Sequence, residues 1–230
     1  MSGCEPDASG SPINRRAAPI LQDREQARLL GDHEPAAHPV LTAMLDGDTL
    51  PRSGQALVLG ARLGGLARAL ATAHPSWQVI ALDPSVALLS ASLDAIRPAG
   101  LSSQLTVMQS HLPSLPIDSR SVDRILGDLP LAHLYDQQAL EQWGNSVAQA
   151  LAPRGLLHLR VARPDLDEDT LNRVLASVPA PWAELLRPVW HAAFPLSRVL
   201  EALSTAGLKA TVRTHPGEWA RISHLIDAHR

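Results

Sequence analysis

The sequence holds few of the residue types on which many enzymes and binding proteins depend. It has one tyrosine, one phenylalanine, one cysteine (Cys4) and one lysine (Lys209) in 230 residues. A single cysteine excludes a disulfide framework and a cysteine-based metal site. A single lysine leaves no GK[ST] phosphate loop, and a Ser–Lys or Tyr–Lys catalytic pair would have to use Lys209. The scarcity of aromatic rings argues against a site that stacks a large flat ligand.

Two further absences bear on partners and compartment. Basic residues do not cluster beyond Arg15-Arg16, and the net charge is −3, so we expect no nucleic-acid partner. No apolar run reaches the roughly 18 residues of a membrane span, so we expect none. The polar start of the chain has no apolar signal-peptide core, which predicts a cytoplasmic protein.

The residues that are present indicate an ordinary globular protein with one large domain. Hydrophobic residues make up 45% of the chain and charged residues 19%. Residues 1–18 are rich in Ser, Gly, Pro and Asp, which predicts a disordered leader. Residues 19–54 are predicted to form a helical cap, and 55–230 an α/β domain with a helical insertion at about 165–193. The predicted cap helices are Leu21–Leu30 and Val40–Leu45.

From residue 55 onwards, strand-like and helix-like segments alternate. The predicted strands are Ala56–Gly60, Gln78–Leu82, Leu105–Met108, Val122–Leu126, Leu156–Val161, Leu208–Arg213 and Ala220–Leu225. The predicted helices between the first five strands are Leu63–Thr72, Ser85–Ile96 and Gln137–Leu151. Helical crossovers predict parallel pairing, whereas the short THPGE turn predicts an antiparallel hairpin. We therefore predict a doubly wound, mainly parallel seven-stranded sheet that ends in an antiparallel hairpin.

The turn after the first predicted strand, in ALVLGARLGGLARAL, contains several glycines. Gly60 allows a sharp turn off the strand, and Gly64 lets the backbone approach a ligand closely. The N–H groups that open the next helix can face a carboxylate, at the edge of the sheet where such folds bind ligands. The spacing also fits tight packing without a ligand, and it is not the G-x-G-x-x-G of dinucleotide-binding proteins.

An acidic residue, Asp83, ends the second predicted strand in VIALDPS. It follows the glycine turn by about twenty residues, where an acid can accept hydrogen bonds from ribose hydroxyls. Alternatively, Asp83 or Ser85 caps the helix that follows. Both roles can hold at once, so the residues alone leave the two interpretations open.

Taken in order, several segments of the chain resemble the class I S-adenosylmethionine-dependent methyltransferases, in the small-molecule group called type 11. The resemblance rests on ALVLGARLGGLARAL, VIALDPSVALLSASL, LPSLPIDSRSVDRIL, DLPLAHLYD, ALAPRGLLHLRV and FPLSRVLEALSTAGLKATV. It runs from about Gln55 to Val161, with a looser tail. It implies the Rossmann-like methyltransferase fold, S-adenosylmethionine as cofactor, and methyl transfer to a small-molecule acceptor.

The resemblance also implies roles for individual residues, and it implies no metal. The cofactor-binding candidates are Gly60, Ala61, Arg62, Gly64, Asp83, Pro84, His111 and Leu112. The catalytic candidates on the acceptor side are Asp128, His133 and His191. Asp128 lies in DLPL, which is similar to the [DN]-x-P-[YF] loop of amino-methylating enzymes, with Leu131 in place of the aromatic residue. His133 could act as a base or pack beside the pocket, and His191 lies in an insertion that would roof the acceptor.

Three positions depart from the family's cofactor-binding pattern. Val58 stands where the family usually has an acid, and His111 where an acid often binds the adenine amine, although a neutral imidazole can also accept that bond. Arg62 replaces the middle glycine. Its guanidinium could bind the carboxylate of the cofactor, or its side chain could fill the pocket.

These departures leave a second hypothesis open for the whole chain. It would be a methyltransferase-like pseudoenzyme that no longer methylates and serves as a binding partner or scaffold, with a protein partner or as a homodimer. A third alternative is a pocket that holds another ligand and catalyses a reaction other than methylation.

Overall fold

The computed structural model describes residues 18, 20–31, 37–213 and 221–230. Its helices are α1 (Arg24–Gly31), α2 (His38–Leu45), α3 (Gly65–Ala73), α4 (Val86–Ile96), α5 (Gln137–Ala150), α6 (Glu168–Leu175), α7 (Ala180–His191) and α8 (Leu196–Thr205), with a 3₁₀ turn at Pro130–His133. Its strands are β1 (Gly54–Leu59), β2 (Trp77–Asp83), β3 (Leu105–Gln109), β4 (Val122–Asp128), β5 (Leu151–Ala162), β6 (Lys209–Arg213) and β7 (Ser223–His229).

The seven strands form one sheet in the order β3-β2-β1-β4-β5-β7-β6. Strands β1 to β5 pair in parallel, and β7 pairs antiparallel with both β5 and β6. The predicted doubly wound sheet with a terminal antiparallel hairpin is therefore confirmed. The turn predicted at THPGE lies outside the described residues, as do Cys4 and most of the predicted leader.

The two faces of the sheet are covered by different helices because side chains alternate along each strand. On one face, Leu57 and Leu59 of β1 belong to a buried cluster with Trp143 of α5 and Val199 of α8. On the other face, Val58 belongs to a cluster with residues of α2 and α3. Within the described part of the chain, no helix is long and apolar enough to cross a membrane.

Most element boundaries differ by a few residues from the sequence expectations, and the last strand is Ser223–His229 rather than Ala220–Leu225. Strand β5 begins at Leu151 rather than Leu156, because Leu151 pairs with Val122 before a shift of register in β4. Helix α4 begins at Val86, and the Ser85 side chain caps it by accepting a hydrogen bond from the N–H of Leu88 at 3.1 Å. The helix-capping role proposed for Ser85 is confirmed.

A group of buried charges ties the segment after α2 to the middle of the sheet. Asp48 accepts hydrogen bonds from Nε and Nη2 of Arg124 on β4, at 2.5 and 2.8 Å. The His158 ring on β5 lies between Asp48 and Asp227, with its nitrogens 3.2 and 2.8 Å from their carboxylate oxygens. Arg213 of β6 pairs with Asp227 in turn. These contacts hold the cap region against β4, β5 and β7.

Candidate functional site

The candidate site lies at the carboxyl ends of β1, β2 and β4, at the reversal of strand order where doubly wound sheets bind ligands. Residues 60–64, called the glycine loop below, leave the end of β1. Gly60 and Gly64 adopt φ angles of 65° and 80°, which glycine adopts without strain. The N–H of Ala61 donates to the carbonyl of Leu82 at 3.0 Å, so the loop is joined to the end of β2.

Asp83 holds the glycine loop through backbone hydrogen bonds. Its Oδ2 accepts from the N–H of Arg62 at 2.8 Å, and its Oδ1 accepts from the N–H of Ser85 at 2.8 Å. The residue is only 2% exposed. Burial raises the pKa of Asp83, while the N–H groups of Ser85 and Arg62 act in the opposite direction. The N-cap of α4 is therefore Ser85 and not Asp83, which instead accepts the N–H of that cap residue.

Beside Asp83 lies a small cavity, called the main cavity below. It is lined by Ile20, Leu21, Arg62, Asp83, Pro84, Ser85, Leu88, His133, Leu185 and Val189. Its volume is about 20 Å³, and a buried water needs roughly 10–15 Å³ of such space. In this conformation the main cavity accommodates a water molecule but not a nucleoside, because drug-sized pockets measure about 300–1,000 Å³.

The chain before α1 covers the main cavity. We call residues 18 and 20–23 the roof segment. Ala18 donates its N–H to the carbonyl of Ala132 at 2.8 Å, and the hydroxyl of Ser85 donates to the carbonyl of Leu21. From the other side, Leu185 and Val189 of α7 complete the cover. The roof segment and α7 together close the crevice.

Arg62 reaches across the crevice to the end of β4. Its Nη1 donates to Oδ2 of Asp128 and its Nη2 to the carbonyl oxygen of Asp128, both at 3.2 Å. The other carboxylate oxygen of Asp128 accepts from Nε of Arg160 at 2.5 Å. Burial acts to raise the pKa of Asp128, but the guanidinium groups of Arg160 and Arg62 outweigh it and hold the pKa below its usual range. Asp128 therefore stays ionised between two arginines.

Arg62 also has an unusual backbone conformation. Its φ is 50°, in the left-handed region that disfavours residues with a side chain. For an L-residue this costs roughly 1–2 kcal/mol. Strain of this kind persists only where the surrounding structure holds it, here through the bonds to Asp83 and Asp128.

His133 borders the main cavity from the 3₁₀ turn after β4. Its Nδ1 lies 3.4 Å from the carbonyl oxygen of Ala18. Burial lowers the pKa of His133, although the neighbouring Asp83 carboxyl and the Ala18 carbonyl partly oppose this. Its imidazole is therefore neutral near pH 7 and can accept a proton.

The structure brings some of the predicted site residues together and not others. Arg62, Asp83, Pro84 and His133 line the main cavity, and Asp128 is joined to it through Arg62. Gly60, Ala61 and Gly64 form the glycine loop itself. His111 is exposed, Leu112 is buried in the core, and His191 lies 3.6 Å from Glu168 with its side chain 54% exposed. These three residues do not line the main cavity.

The tryptophans of α7 have structural partners. Trp182 donates its indole N–H to the carbonyl of Leu30, and Trp190 donates to that of Ile222, each at 2.9 Å. Both side chains are buried. They fasten α7 to α1 and to the start of β7, so α7 is held over the crevice.

Sequence reasoning missed two parts of the site. Arg160 was not singled out, although an arginine in the apolar strand sequence LLHLRVA was a usable signal. Ile20, Leu21, Leu185 and Val189 carry no chemical motif, so only the tertiary structure identifies them as the cover. Across the described residues, no group of three His, Cys, Asp or Glu side chains could hold a metal ion.

Comparison with known families places these elements in context. The model of the methyltransferase domain family matches residues 56–155, from β1 into the first part of β5. The match includes Arg62, Asp83, Asp128 and His133. A search of curated proteins finds no significant match.

Solved structures, among them two methyltransferases, share the fold. A SAM-dependent methyltransferase from Aquifex aeolicus superposes with a TM-score of 0.65 at 15% identity, covering 90% of this chain and 98% of that one. Phosphoethanolamine N-methyltransferase 2 from Haemonchus contortus, solved with S-adenosyl-L-methionine, gives 0.61 at 13% identity, over 83% of this chain and 51% of that one. The YcgJ protein from Bacillus subtilis gives 0.61 at 18% identity, over 83% and 97%.

These likenesses concern the fold, and some neighbours are longer. The chain spans 60% of the length of a Nostoc punctiforme neighbour and about half of the Haemonchus enzyme. The sheet order and the antiparallel hairpin are those of the Rossmann-like methyltransferase fold. The family match and the shared fold together support a class I S-adenosylmethionine-dependent methyltransferase.

Proposed function

We propose that this chain transfers a methyl group from S-adenosylmethionine to a small-molecule acceptor, in the crevice at the carboxyl ends of β1, β2 and β4. The observation that carries the proposal is the junction of Asp83 with the glycine loop. There a buried carboxylate accepts the N–H of Arg62 at 2.8 Å, within the segment that matches the methyltransferase domain. The neighbour from Haemonchus contortus was solved with S-adenosyl-L-methionine, which supports the same cofactor here.

The chemistry of the residues around the crevice fits this cofactor. Asp83 offers carboxylate oxygens to ribose hydroxyls, and Leu88 and Pro84 offer apolar contact to a base. Arg62 offers a guanidinium to a carboxylate, and Asp128 offers oxygens to an ammonium. The main cavity of about 20 Å³ is too small as it stands, so binding requires the Arg62 side chain and the roof segment to move.

When bound, S-adenosylmethionine supplies an electrophilic methyl group on its sulfonium. The chain's own contribution is to align the acceptor with that group and to keep water out. The roof segment and α7 exclude water, because Leu21, Leu185 and Val189 present apolar side chains to the main cavity. We assign to His133 the role of base, since burial lowers its pKa and its imidazole can take a proton from an acceptor hydroxyl at neutral pH.

Isothermal titration with S-adenosylmethionine and with S-adenosylhomocysteine tests the proposal. We expect saturable binding by the wild-type protein and weaker binding by Asp83→Ala. Asp94→Ala is the matched control, because its side chain on α4 is 74% exposed and lies outside the main cavity. A flat titration at millimolar cofactor would contradict the proposal. If the cofactor binds, the acceptor class can be identified by measuring the S-adenosylhomocysteine produced when S-adenosylmethionine is incubated with a panel of small alcohols, acids and amines.

A second candidate function is a methyltransferase-like protein that has lost its activity and acts as a binding partner or scaffold. The observation that favours it is the pair of Arg62 with Asp128, which crosses a crevice that has room only for water. Val58, fully buried in β1, also takes the position of an acid that the family usually has.

The two candidates differ in the effect of Arg62→Gly. If the side chain of Arg62 closes a lapsed pocket, its removal creates or raises affinity for S-adenosylmethionine. If the pocket works as proposed, the wild-type protein binds and Arg62→Gly binds more weakly. The exposed large apolar side chains among the described residues are Leu29 on α1, Val86 on α4, Val212 on β6 and Tyr135 between the 3₁₀ turn and α5.

A further inference from the structure

Ala18, in the roof segment, uses both of its backbone polar groups to contact the 3₁₀ turn after β4. Its N–H donates to the carbonyl of Ala132 at 2.8 Å, and its carbonyl oxygen lies 3.4 Å from Nδ1 of His133. Ala18 is 6% exposed and belongs to a buried cluster with Leu129 and Ala132. The residue is therefore docked on this turn through its backbone as well as through its methyl group.

The contact with Ala18 bears on which nitrogen of the His133 ring carries the proton. A carbonyl oxygen only accepts hydrogen bonds, and a neutral imidazole has one N–H donor and one acceptor nitrogen. A bond from Nδ1 to the Ala18 carbonyl therefore requires the proton on Nδ1 and leaves Nε2 with its lone pair. At 3.4 Å this bond is long, as the hydrogen bonds of catalytic groups often are before a substrate is bound.

Among the described residues, two charged side chains act on the His133 ring, those of Asp83 and Arg62. Asp83 directs both of its oxygens to backbone N–H groups, and Arg62 directs its guanidinium to the end of β4. Neither side chain hydrogen-bonds to the ring in this part of the chain. Asp83 acts through its charge instead, which favours the protonated ring and opposes the effect of burial on the pKa of His133. The group that selects the tautomer is therefore the Ala18 carbonyl.

We propose that the backbone carbonyl of Ala18 is a positioning group for His133 and holds its imidazole in the tautomer whose Nε2 is the base. Nε2 makes no hydrogen bond within the described ranges, and the ring borders the main cavity, so Nε2 is free to meet an acceptor hydroxyl. As the acceptor oxygen bonds to the methyl carbon, the carbon–sulfur bond breaks and leaves its electron pair on sulfur. Nε2 takes the hydroxyl proton, and the resulting imidazolium keeps its Nδ1–H on the Ala18 carbonyl.

The inference rests on the proposed function, because a base is needed only if the chain transfers a methyl group to a hydroxyl. It gives the roof segment a second task beyond the exclusion of water. Ala18 and His133 are 115 residues apart in the chain, so the oriented base forms only when the roof segment is seated on the 3₁₀ turn. Leu21 of the same segment lines the main cavity, so one segment both covers the site and orients its base.

The tautomer of His133 can be measured in the free protein. Long-range ¹H–¹⁵N spectra of protein labelled with ¹⁵N-histidine distinguish protonated from unprotonated ring nitrogens, and the His133 signals are assigned by their loss in His133→Gln. At neutral pH we expect a protonated Nδ1 and an unprotonated Nε2. Ala18→Pro removes the N–H that docks Ala18 on Ala132, so both nitrogens should then give intermediate signals. Ala18→Gly is the matched control, because it keeps both backbone groups and should keep the wild-type signals.

Hydrogen exchange of the Ala18 amide tests the same contact from the side of the roof segment. His133→Ala removes the donor to the Ala18 carbonyl, and we expect the Ala18 amide to exchange about fivefold faster. His133→Asn places a side-chain N–H close to the position of Nδ1, and we expect it to restore the exchange rate to within about twofold of the wild type. Both variants keep the Ala132 carbonyl that accepts the Ala18 N–H, so the comparison isolates the contact with the ring.

Failure of the inference and failure of the proposed function give different results. A neutral His133 ring with its proton on Nε2 overturns the inference, even if S-adenosylmethionine binds. Unchanged ring signals in Ala18→Pro overturn it as well, and so does an equal exchange rate of the Ala18 amide in His133→Ala and the wild type. If Nδ1 carries the proton but the protein does not bind S-adenosylmethionine, the proposed function fails and the contact of Ala18 with His133 stands.

Discussion

The backbone N–H of Arg62 lies 2.8 Å from the Oδ2 of Asp83, so a buried carboxylate at the end of β2 fixes the backbone of the glycine loop at the end of β1. Asp83→Ala leaves the N–H groups of Arg62 and Ser85 without their acceptor. We expect the free energy of unfolding to fall by about 1–3 kcal/mol, measured by urea unfolding.

The control for this change is Asp94→Ala on the exposed side of α4, where we expect a change within about 0.5 kcal/mol. A wild-type free energy of unfolding in Asp83→Ala would contradict the prediction. It would mean that the free-energy cost of burying the Asp83 carboxylate equals the stabilisation from its two backbone hydrogen bonds.

Asp48 is the acid on which the buried charge group beneath the cap depends. Its side chain and that of Arg124 are each 6% exposed, and Asp48 also faces the ring of His158. Asp48→Asn leaves the guanidinium of Arg124 buried without its counter-charge. We expect a loss of about 3–5 kcal/mol in the free energy of unfolding, measured by urea unfolding monitored by tryptophan fluorescence.

The exposed pair of Arg97 with Asp94 offers the comparison, because its side chains are 67% and 74% exposed. Asp94→Asn should change stability by no more than about 0.5 kcal/mol. If Asp48→Asn lowers the free energy of unfolding by less than about 1 kcal/mol, water reaches Arg124 and the charge group is not shielded from solvent.

The stability of the protein should depend on pH through His133. Burial lowers its pKa, so below about 6.5 the unfolded chain binds a proton that the folded protein does not yet bind. Stability then rises with pH through this window, because the unfolded state binds more protons there. We expect His133→Gln to reduce the slope of unfolding free energy against pH in the window just below about pH 6.5.

Urea unfolding at several pH values measures this slope, and His191→Gln serves as the control because the His191 side chain is 54% exposed on α7. The prediction is wrong if the wild-type protein and His133→Gln show the same slope across the window.

Val58→Asp would restore the acid that the family usually has in the first strand, and we expect it to unfold the protein. Val58 is 0% exposed in the middle of the sheet, paired with both β2 and β4. A carboxylate there would be buried in an apolar cluster, at a cost of several kcal/mol. Soluble yield and urea unfolding measure the effect.

Val212→Asp is the matched control, because Val212 is 44% exposed on strand β6 and should tolerate the charge. A stable Val58→Asp protein with raised affinity for S-adenosylmethionine would show that the cluster around β1 can open toward the cofactor.

The arrangement of strands was predictable because it depends on local patterns. Continuous apolar segments separated by helical segments leave few ways to build a sheet, and crossover connections between parallel strands are right-handed. The position of Asp83 beside the glycine loop was predictable for the same reason, because the residue that ends the second strand lies next to the turn that follows the first. The cover of the crevice was not, because apolar residues such as Leu21 and Val189 carry no signal of what they face.

The fold and the position of the crevice were determined by the sequence alone, through the alternation of strands and helices and the glycine turn after β1. The tertiary structure decided which charges meet there. Arg62, Asp128 and Arg160 are far apart in the chain, and only the packing of β1 against β4 and of β4 against β5 brings their side chains together. An ion pair requires its charged atoms to lie about 3 Å apart. These three side chains reach that distance only once strands β1, β4 and β5 have paired.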